Sequence, residues 1–592
     1  MPLEVPLLDP VAARAWPAWP QADANHLLVT SAQMAELENQ LFASGLPVEA
    51  LMEKAALAIA RRLLAGAPAS ALVLVGPGHN GGDGLVVARE LQLAGVPVRI
   101  WTPFERHKPL TSAHLRHGRW LGIPFLEEAP DPGEGVLWID ALYGVGQRRP
   151  IEASLATLLT RRQQLRPGAL VAIDVPTGLC SDSGRLLGSG AARARTTYCL
   201  GVLKQGLVQD AALAWVGQLE RIDLGITDAQ LAPLASRAPL ALAAADGGTA
   251  PWPPLDPVAG KYGRGRLLVV AGSPSYPGAA QLCLAGASAS GCGSLKAQVP
   301  DAVAEGLWAS QPHVVLAPAA LEQADSLERF DAVVFGPGLG LEALHPDPQQ
   351  PREHPQLWDH LQGFRGLLLL DADGLNRLAE LTRAPGAGAS AWLRQRQGPT
   401  WLTPHGAEFQ RLFPELAGRP PLEATAAAAK ACGATVLLKG AHSVIATADG
   451  RRWQLVETCA AAARAGLGDV LAGYAAGRGA MAIAATRAAA EQPAMAKPVE
   501  QKACEQKAVE QTAVEKKTLE KKTLEATAGA MSGGMEVNGA GTTASGCSLD
   551  GALLAAAALN HALAAKQAWR ERGPGGATPM AVAAALAKQS FN

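Results

Sequence analysis

The feature that most constrains the fold is a recurring unit: a short apolar run, a turn of Gly, Pro or Asp, and then a stretch with helical spacing. The apolar runs fall at 71–75, 97–101, 136–139, 170–174, 266–271, 331–335, 366–371, 400–403, 434–438 and 443–447. Alternating strands and helices favour a mostly parallel sheet with helices on both faces. Because 592 residues exceed what one hydrophobic core accommodates, we expect an α/β protein of two domains.

Two stretches break this pattern. Residues 227–257 are rich in Ala and Pro and lose periodicity, so we interpret them as a linker between domains at 28–226 and 258–592. Residues 490–549 contain pentads such as KPVEQ and KTLEK over 497–526 and a Gly/Ser/Thr-rich segment over 528–549. Apolar positions five residues apart turn by about 140° around a helix, so no single face collects them. We predict a solvated low-complexity insertion there, with a coiled-coil partner site as the alternative.

Charge and composition exclude several classes of protein. The chain has 52 basic and 53 acidic residues, so no overall field attracts nucleic acid or an anionic membrane. No apolar run reaches the length that spans a bilayer, and no export signal is visible. The eight cysteines are scattered without a C-x-x-C spacing, which favours reduced thiols. We expect a cytoplasmic homo-oligomer with small-molecule substrates and without nucleic-acid or membrane partners.

The glycine-rich stretch GPGHNGGDG (76–84) follows the first apolar run and leads into a helical segment. In this geometry backbone N–H groups and a helix N-terminus can hold phosphate. A dinucleotide fingerprint also needs an acidic residue after the next strand, but Thr102-Pro103 stands there. No Gly-Lys-Ser/Thr follows, so the stretch is not a P-loop. A tight turn is the alternative interpretation.

Polar residues also follow two later strands, in IDALYGVG (139–146) and IDVPTG (173–178). The carboxyl ends of parallel strands line one crevice, so we expect the polar side chains of these loops to converge there: Asn80, Asp140, Asp174 and Thr177. Each of these residues alone is more typical of a turn or a helix cap. Three such loops in one domain indicate a site.

Together with Lys204-Gln-Gly206 and WVGQLERIDLGI (215–226), these motifs resemble the NAD(P)H-hydrate epimerase domain over about residues 28–226. The resemblance implies a Rossmann-like three-layer α/β/α domain. Its substrate would be NAD(P)H hydrated at C6 of the nicotinamide ring, whose R and S forms are interconverted.

The same resemblance implies a ligand set for this first domain. A potassium ion would be held by Asn80, Asp140 and Thr177, whose oxygen donors suit an alkali cation. The substrate would contact Asn80, Gly81, Gly82, Asp83, Gly84, Gly144, Val145, Gly146, Gln147, Arg148, Arg149, Pro150 and Asp174. From its position in the crevice, we predict Asp174 as the acid/base.

The second half of the chain carries another series of motifs at predicted strand ends. They are GKYGRGRLLVVAGSPSYPGAAQL (260–282), FGPGLG (335–340), LLDADGLNRL (369–378), LTPHGAEF (402–409), LLKGAHSVI (437–445) and AGLGDVLAG (465–473). A Gly-x-Gly-Asp that enters a helix presents N–H donors to phosphate, beside a carboxylate that can accept a hydroxyl proton. A turn with Asp as the N-cap is the alternative.

These motifs resemble the nucleotide-dependent NAD(P)H-hydrate dehydratase, which has a ribokinase-like α/β fold, over about residues 258–480 and 550–590. The resemblance implies substrate contacts at Gly278, Gly338, His405 and Asp469, with Asp469 catalytic. It implies nucleotide contacts at Lys439, Gly440, Ala441, His442, Ser443 and Gly468. The C6 hydroxyl of the S hydrate (NADHX or NADPHX) would be phosphorylated by ADP, or by ATP as in animal and fungal members. Elimination of phosphate would then restore NAD(P)H and leave AMP, with magnesium held through water by Glu408 and Asp371.

The chain departs from the family pattern at ETCAAAARAGLGD (457–469), where Ala461-Ala-Ala463 and Leu467 replace the usual Asn and Gly-Thr donors. An epimerase with a decayed dehydratase domain is therefore one alternative. A ribokinase-like small-molecule kinase shares the Gly-Asp end, but it has no use for an epimerase partner. A non-catalytic RNA-binding scaffold is the third alternative, and the balanced charge and the retained Asn80, Asp140 and Asp174 count against it.

Overall fold

The computed structural model describes residues 19–340, 356–382, 388–491, 549–573 and 575–589. The strands in these ranges are β1 Leu28–Val29, β2 Ala71–Val75, β3 Val98–Trp101, β4 Phe125–Leu126, β5 Leu137–Ala141, β6 Leu170–Ile173, β7 Thr196–Leu200, β8 Leu203–Lys204, β9 Gln218–Ile222, β10 Leu240–Leu242, β11 Arg266–Val270, β12 Ser294–Gln298, β13 Val315–Leu316, β14 Ala332–Phe335, β15 Leu367–Leu370, β16 Thr400–Leu402, β17 Thr435–Leu438, β18 Val444–Ala446 and β19 Arg452–Leu455.

The α-helices in the same ranges are α1 Ser31–Ala43, α2 Val48–Ala65, α3 His79–Leu93, α4 Pro109–Trp120, α5 Ala153–Leu165, α6 Leu213–Val216, α7 Asp228–Ala235, α8 Pro277–Ala289, α9 Asp301–Ser310, α10 Ala324–Leu327, α11 Leu357–Gly363, α12 Asp373–Leu381, α13 Ala389–Arg394, α14 Gly406–Leu412, α15 Pro421–Cys432, α16 Leu467–Glu491, α17 Gly551–Arg572 and α18 Pro579–Gln589.

The first sheet is parallel throughout, in the order β4-β3-β2-β5-β6-β7-β9. Its central strands β2, β5 and β6 are buried at every residue, because apolar side chains cover both faces. The strand order reverses between β2 and β5, so the loops after these two strands border a crevice at the carboxyl edge.

The second sheet has the order β10-β19-β18-β17-β16-β15-β14-β11-β12-β13. It is parallel except at β18, which runs antiparallel to both of its neighbours. The order reverses between β11 and β14, which places a second crevice at the carboxyl ends of these strands. The core lies on both faces of the sheet, in one cluster that includes α8, α16 and α17 and another that includes α12 and α15.

Each of the ten predicted strands is present, with ends within two residues of the predicted ones. The predicted linker at 227–257 is more ordered than expected, because it contains α7 and β10, and β10 pairs in parallel with β19 at the edge of the second sheet. Short runs such as Leu240–Leu242 have too few residues to show a period, so only their pairing reveals them.

Of the predicted insertion at 490–549, residues 492–548 lie outside the described residues. Among the helices of the described ranges, none has the length and low polarity needed to cross a bilayer.

Candidate active sites

The glycine-rich stretch of the first domain lets α3 approach the ends of β2 and β5 closely. A Cβ on Gly76 would lie 1.6 Å from the carbonyl oxygen of Leu142, and one on Gly84 would lie 2.4 Å from the Cβ of Ala141. Only glycine fits at such approaches. The helix begins at His79, so the predicted contacts from Asn80 to Gly84 lie in its first turns rather than in a loop.

Asp140 and Thr177, two of the three predicted potassium ligands, are joined directly. The Asp140 carboxylate accepts hydrogen bonds from Thr177 N and Thr177 Oγ1, both at 2.8 Å, and from Leu142 N at 3.2 Å. Burial raises the pKa of Asp140 to about 6, although the bonds from Thr177 lower it. The pair therefore forms a rigid oxygen cluster at the ends of β5 and β6.

Asn80, the third predicted ligand, has a buried side chain with no protein partner for its Oδ1 or Nδ2. Its Cγ lies 3.3 Å from the position that a Cβ on Gly144 would take, and Asp174 Oδ2 lies 2.8 Å from the same point. Buried amide groups are nearly always hydrogen-bonded, so this one fits an ion or a bound ligand. Within the described ranges, His, Cys, Asp and Glu side chains form no group of three or more that could hold a metal, so a cation here would depend on Asn and Thr oxygens as well.

Asp174 forms a sealed ion pair with Lys204. Lys204 Nζ donates to Asp174 Oδ1 at 2.6 Å and to the carbonyl oxygen of Leu200 at 2.5 Å, and the Lys204 side chain is only 1% exposed. Burial lowers the pKa of Lys204, but attraction by the Asp174 carboxylate outweighs it and the pKa lies above its usual value. Val145 N donates to Asp174 Oδ2 at 2.7 Å, so the loop after β5 also holds this carboxylate. Asp174 has a φ of +66°, a strained conformation typical of functional positions.

Two more carboxyl groups face this ion pair. Burial raises the pKa of Asp83 well above its usual value, and repulsion by Asp174 and Glu38 adds to the effect. The pKa of Glu38 is raised for the same two reasons, burial and the Asp174 charge. The first crevice thus combines an ion-paired carboxylate with two carboxyl groups whose pKa values are raised, an arrangement suited to acid/base chemistry.

The remaining predicted contacts of the first crevice lie on the loop after β5. Gln147 Oε1 accepts a hydrogen bond from Gly178 N at 2.8 Å, which ties this loop to the one after β6. The other residues of the loop are exposed: Gly146, Arg148, Arg149 and Pro150.

The second crevice is built around Asp371 and Lys439. Asp371 follows β15 and is 1% exposed, and its Oδ1 accepts a hydrogen bond from Lys439 Nζ at 2.7 Å. A Cβ on Gly468, in the first turn of α16, would lie 3.3 Å from Lys439 Nζ. The lysine amine and the N-terminus of α16 therefore lie together, as a site for phosphate requires.

Asp469 lies in the same turn of α16 as Gly468. Burial raises its pKa to about 7, with repulsion by Asp371 adding to the effect and Lys439 opposing it. A carboxyl group with this pKa is half ionised near neutral pH, which suits a general base.

His405 and Glu408 hold each other at the start of α14. His405 Nδ1 accepts a hydrogen bond from Ala407 N at 3.1 Å, and Glu408 Oε2 accepts one from His405 N at 2.8 Å. Burial raises the pKa of Glu408, against the attraction of Lys439. The two carboxylates predicted to hold magnesium are therefore already engaged, Glu408 with His405 and Asp371 with Lys439.

Gly338 packs against the start of α8, where Gly278 lies. Gly338 has a φ of +63°, and a Cβ on it would lie 2.5 Å from the Cβ of Ala279, whereas a Cβ on Gly278 would meet open space.

In the predicted nucleotide loop 439–443, two backbone N–H groups already have an acceptor within the protein. The N–H groups of Ala441 and His442 donate to Asp210, which lies between β8 and β9 in the first half of the chain.

Two residues at these sites, Lys204 and His561, have no role that the sequence predicts. Lys204 was visible only as part of a motif, because no spacing rule links it to Asp174. His561 lies on α17, and its Nε2 is buried without a partner. Burial lowers the pKa of His561 to about 4, and a hydrogen bond with the backbone of Leu467 places it beside the start of α16. In the sequence, His561 is marked only by the polar pair Asn560-His561 inside an otherwise apolar run.

Two family models match the chain. The one described as YjeF-related protein N-terminus matches residues 48–206, and the one described as NAD(P)H-hydrate dehydratase matches residues 267–526. A protein of Synechocystis sp. named bifunctional NAD(P)H-hydrate repair enzyme Nnr is 42% identical over 465 residues, covering 76% of this chain and 85% of that protein. A protein of the same name from Gloeobacter violaceus is 42% identical over 476 residues, covering 75% and 87%.

A solved structure titled as an ADP/ATP-dependent NAD(P)H-hydrate dehydratase from Bacillus subtilis, co-crystallized with ATP/Mg2+, is also similar to part of the chain. It is 22% identical, covers 59% of this chain and 97% of its own, and has a TM-score of 0.39.

Proposed function

This chain belongs to the family of bifunctional NAD(P)H-hydrate repair enzymes, and we propose that its two crevices carry the two reactions of the repair in turn. The enzyme epimerises the R and S forms of hydrated NAD(P)H and dehydrates the S form. One observation carries the assignment of sites. An Asp–Lys ion pair with a buried carboxylate lies at the carboxyl edge of each sheet, Asp174–Lys204 in the first and Asp371–Lys439 in the second.

Epimerisation is assigned to the first crevice. Asp174 would accept and return the proton that epimerisation at C6 moves, while Lys204 and Val145 N hold its carboxylate in place. The residues from Asn80 to Gly84 and from Gly144 to Pro150 would bind the hydrated dinucleotide. Asn80, Asp140 and Thr177 would hold potassium, and the unpartnered amide of Asn80 supports this assignment. The ion would supply positive charge next to the bound substrate.

Dehydration is assigned to the second crevice. Asp469 would accept the proton of the C6 hydroxyl as ADP or ATP phosphorylates that oxygen. Lys439 and the N-terminus of α16 at Gly468 would bind the nucleotide phosphates, and the substrate would contact Gly278, Gly338 and His405. Transfer of the phosphoryl group leaves AMP when the donor is ADP. Phosphate is a far better leaving group than hydroxide, so it would leave C6 as C5 loses a proton, and the double bond formed between them restores the reduced ring. Magnesium would neutralise phosphate charge, held through water by Asp371 and Glu408.

A single assay tests both activities. Mixed R and S NADHX or NADPHX is incubated with the protein, potassium, magnesium and either ADP or ATP, and each species is followed by chromatography. We expect both epimers to disappear and the reduced coenzyme and AMP to form. Epimers that interconvert without restoring reduced coenzyme would show a decayed second site. Phosphorylation of another small molecule, with no action on the hydrate, would favour a kinase instead.

Two further expectations from the sequence stay predictions: a cytoplasmic location and a homo-oligomeric assembly. Size-exclusion chromatography with light scattering tests the second directly.

A further inference from the structure

We propose that Asp210, which belongs to the first sheet's half of the chain, is a positioning residue for the nucleotide loop of the second half, defined as residues 439–443. This role deepens the proposed function and rests on it, since the proposed function assigns the nucleotide to that loop. Asp210 lies six residues beyond Lys204, on the connection from β8 to β9.

The Asp210 carboxylate holds two successive backbone N–H groups of the loop. Its Oδ2 accepts a hydrogen bond from Ala441 N at 2.9 Å, and its Oδ1 accepts one from His442 N at 2.8 Å. Successive N–H groups that point to one place form the type of concavity that holds an anion. A Cβ on Gly440 would lie 2.6 Å from Asp210 Oδ2, so glycine leaves the room that the carboxylate occupies.

A buried network backs this contact. His442 Nδ1 lies 2.8 Å from the carbonyl oxygen of Val208, Gln209 Nε2 donates to Gln454 Oε1 at 2.8 Å, and Gln454 Nε2 donates to His442 O at 2.8 Å. Gln209, His442 and Gln454 are 2%, 8% and 0% exposed. Breaking a buried polar network leaves unsatisfied groups at high cost, so the contact is a permanent part of the interface between the two halves.

The position of the loop decides where the Lys439 amine lies. Lys439 N donates to the carbonyl oxygen of Pro404 at 2.8 Å, which fixes the start of the loop, and Asp210 fixes its middle. Lys439 Nζ lies between Asp371 and the N-terminus of α16, where a shift of the loop would misplace it. The N–H groups of Ala441 and His442 thus hold the loop in place through Asp210. The nucleotide phosphates would then be bound by Lys439 and by the N-terminus of α16 at Gly468.

The test uses the full chain with Asp210→Ala and Asp210→Asn, and with Asp228→Asn as the matched control, because Asp228 is an exposed acid on α7. The Kd of ADP and of ATP is measured by isothermal titration calorimetry, and the nucleotide KM and kcat are measured in dehydration. We expect Asp210→Ala to raise the nucleotide Kd and KM about tenfold, because two hydrogen bonds to a charged group are lost. The kcat at saturating nucleotide and the epimerase rate should stay near the wild-type values. Asp210→Asn should fall between, since its amide oxygen still accepts one N–H, and the control should match wild type.

Amide hydrogen exchange read by mass spectrometry adds a measurement that does not need activity. The peptide containing Ala441 and His442 should exchange faster in Asp210→Ala than in wild type. If Asp210→Ala loses epimerase activity as a sign of misfolding, Asp210→Asn decides the question by the same readouts.

Three results would overturn the proposal, and they are distinguishable. Unchanged nucleotide Kd and KM in both variants, with wild type active, would overturn the role of Asp210 alone. A lower Kd would show that Asp210 competes with nucleotide rather than positioning its loop. Wild-type protein that binds neither ADP nor ATP would overturn the proposed nucleotide site and the role of Asp210 with it.

Discussion

The two crevices contain the same ion pair in different surroundings. Asp174 and Lys204 are 7% and 1% exposed, and their contact is 2.6 Å long. Asp371 is 1% exposed, but its partner Lys439 is 21% exposed, at a contact of 2.7 Å. A sealed lysine can only fix its carboxylate, whereas a lysine that reaches solvent can also meet the phosphates of a second substrate. This difference in exposure fits the proposed reactions. Epimerisation in the first crevice needs only the hydrate, whereas dehydration in the second crevice also needs a nucleotide.

The largest expected effect is the loss of one activity while the other is kept. Asp174→Asn should slow epimerisation and Asp469→Asn should slow dehydration, each by about 10²–10⁴-fold, because each removes a group that moves a proton. Each variant should keep the other activity. Rates measured on pure R and on pure S hydrate check this, and a variant that loses both activities at once would break the assignment of one reaction to each crevice.

The second effect concerns stability. Asp174→Asn leaves Lys204 charged, buried and without a counter-charge, which should lower the free energy of unfolding by about 3–5 kcal/mol. Asp371→Asn leaves Lys439 able to turn toward water, so the loss should be about 1 kcal/mol or less. Urea denaturation of both variants measures the difference. Equal losses would mean that the two pairs do not differ in the way their exposure indicates.

Glycine substitutions compare the closeness of packing in the two crevices. A Cβ on Gly81 would lie 2.1 Å from the carbonyl oxygen of Gly76, whereas a Cβ on Gly278 would meet nothing within 4 Å. Gly81→Ala should therefore lower the free energy of unfolding by about 1–3 kcal/mol. Gly278→Ala, in the first turn of α8, should leave it unchanged or raise it by up to about 1 kcal/mol. Thermal unfolding of the two variants distinguishes these outcomes, and a destabilised Gly278→Ala would show that the second crevice is closed as well.

The last prediction concerns the pH dependence of dehydration. Asp469 must be ionised to accept a proton, and burial raises its pKa to about 7. The kcat/KM for the S hydrate should therefore fall about tenfold for each pH unit below about 7 and level off above it. Asp469→Asn should abolish this profile in the residual activity. A flat profile between pH 5 and 7 in the wild-type enzyme would contradict the role of Asp469 as the base.

Much of the fold followed from local patterns. Runs such as Ala71–Val75 and Leu367–Leu370 are buried on both faces, so they are continuously apolar and visible without any knowledge of their neighbours. Many of the strands that the sequence did not reveal are short, like Phe125–Leu126, or half-buried, like Ser294–Gln298, although Thr196–Leu200 is mostly buried. Their identity as strands depends on pairing with a partner that is distant in the chain.

The sequence likewise predicted only part of each site. Asn80, Asp140, Asp174 and Thr177 lie at or shortly after the ends of strands, and parallel strands bring their carboxyl ends together, so their proximity could be expected. The partners of these residues could not be expected. Lys204 reaches Asp174 from a separate short strand, and Asp210 reaches Ala441 across more than two hundred residues of sequence.

The sequence alone determined the two mostly parallel sheets, their polar strand ends and the family to which the chain belongs, because apolar runs and glycine turns act over a few residues. Only the tertiary structure decided which lysine is sealed and which is partly exposed, and which carboxyl groups have a raised pKa. Those properties depend on burial and on charges from distant segments, and a side chain acquires both only when the chain has folded.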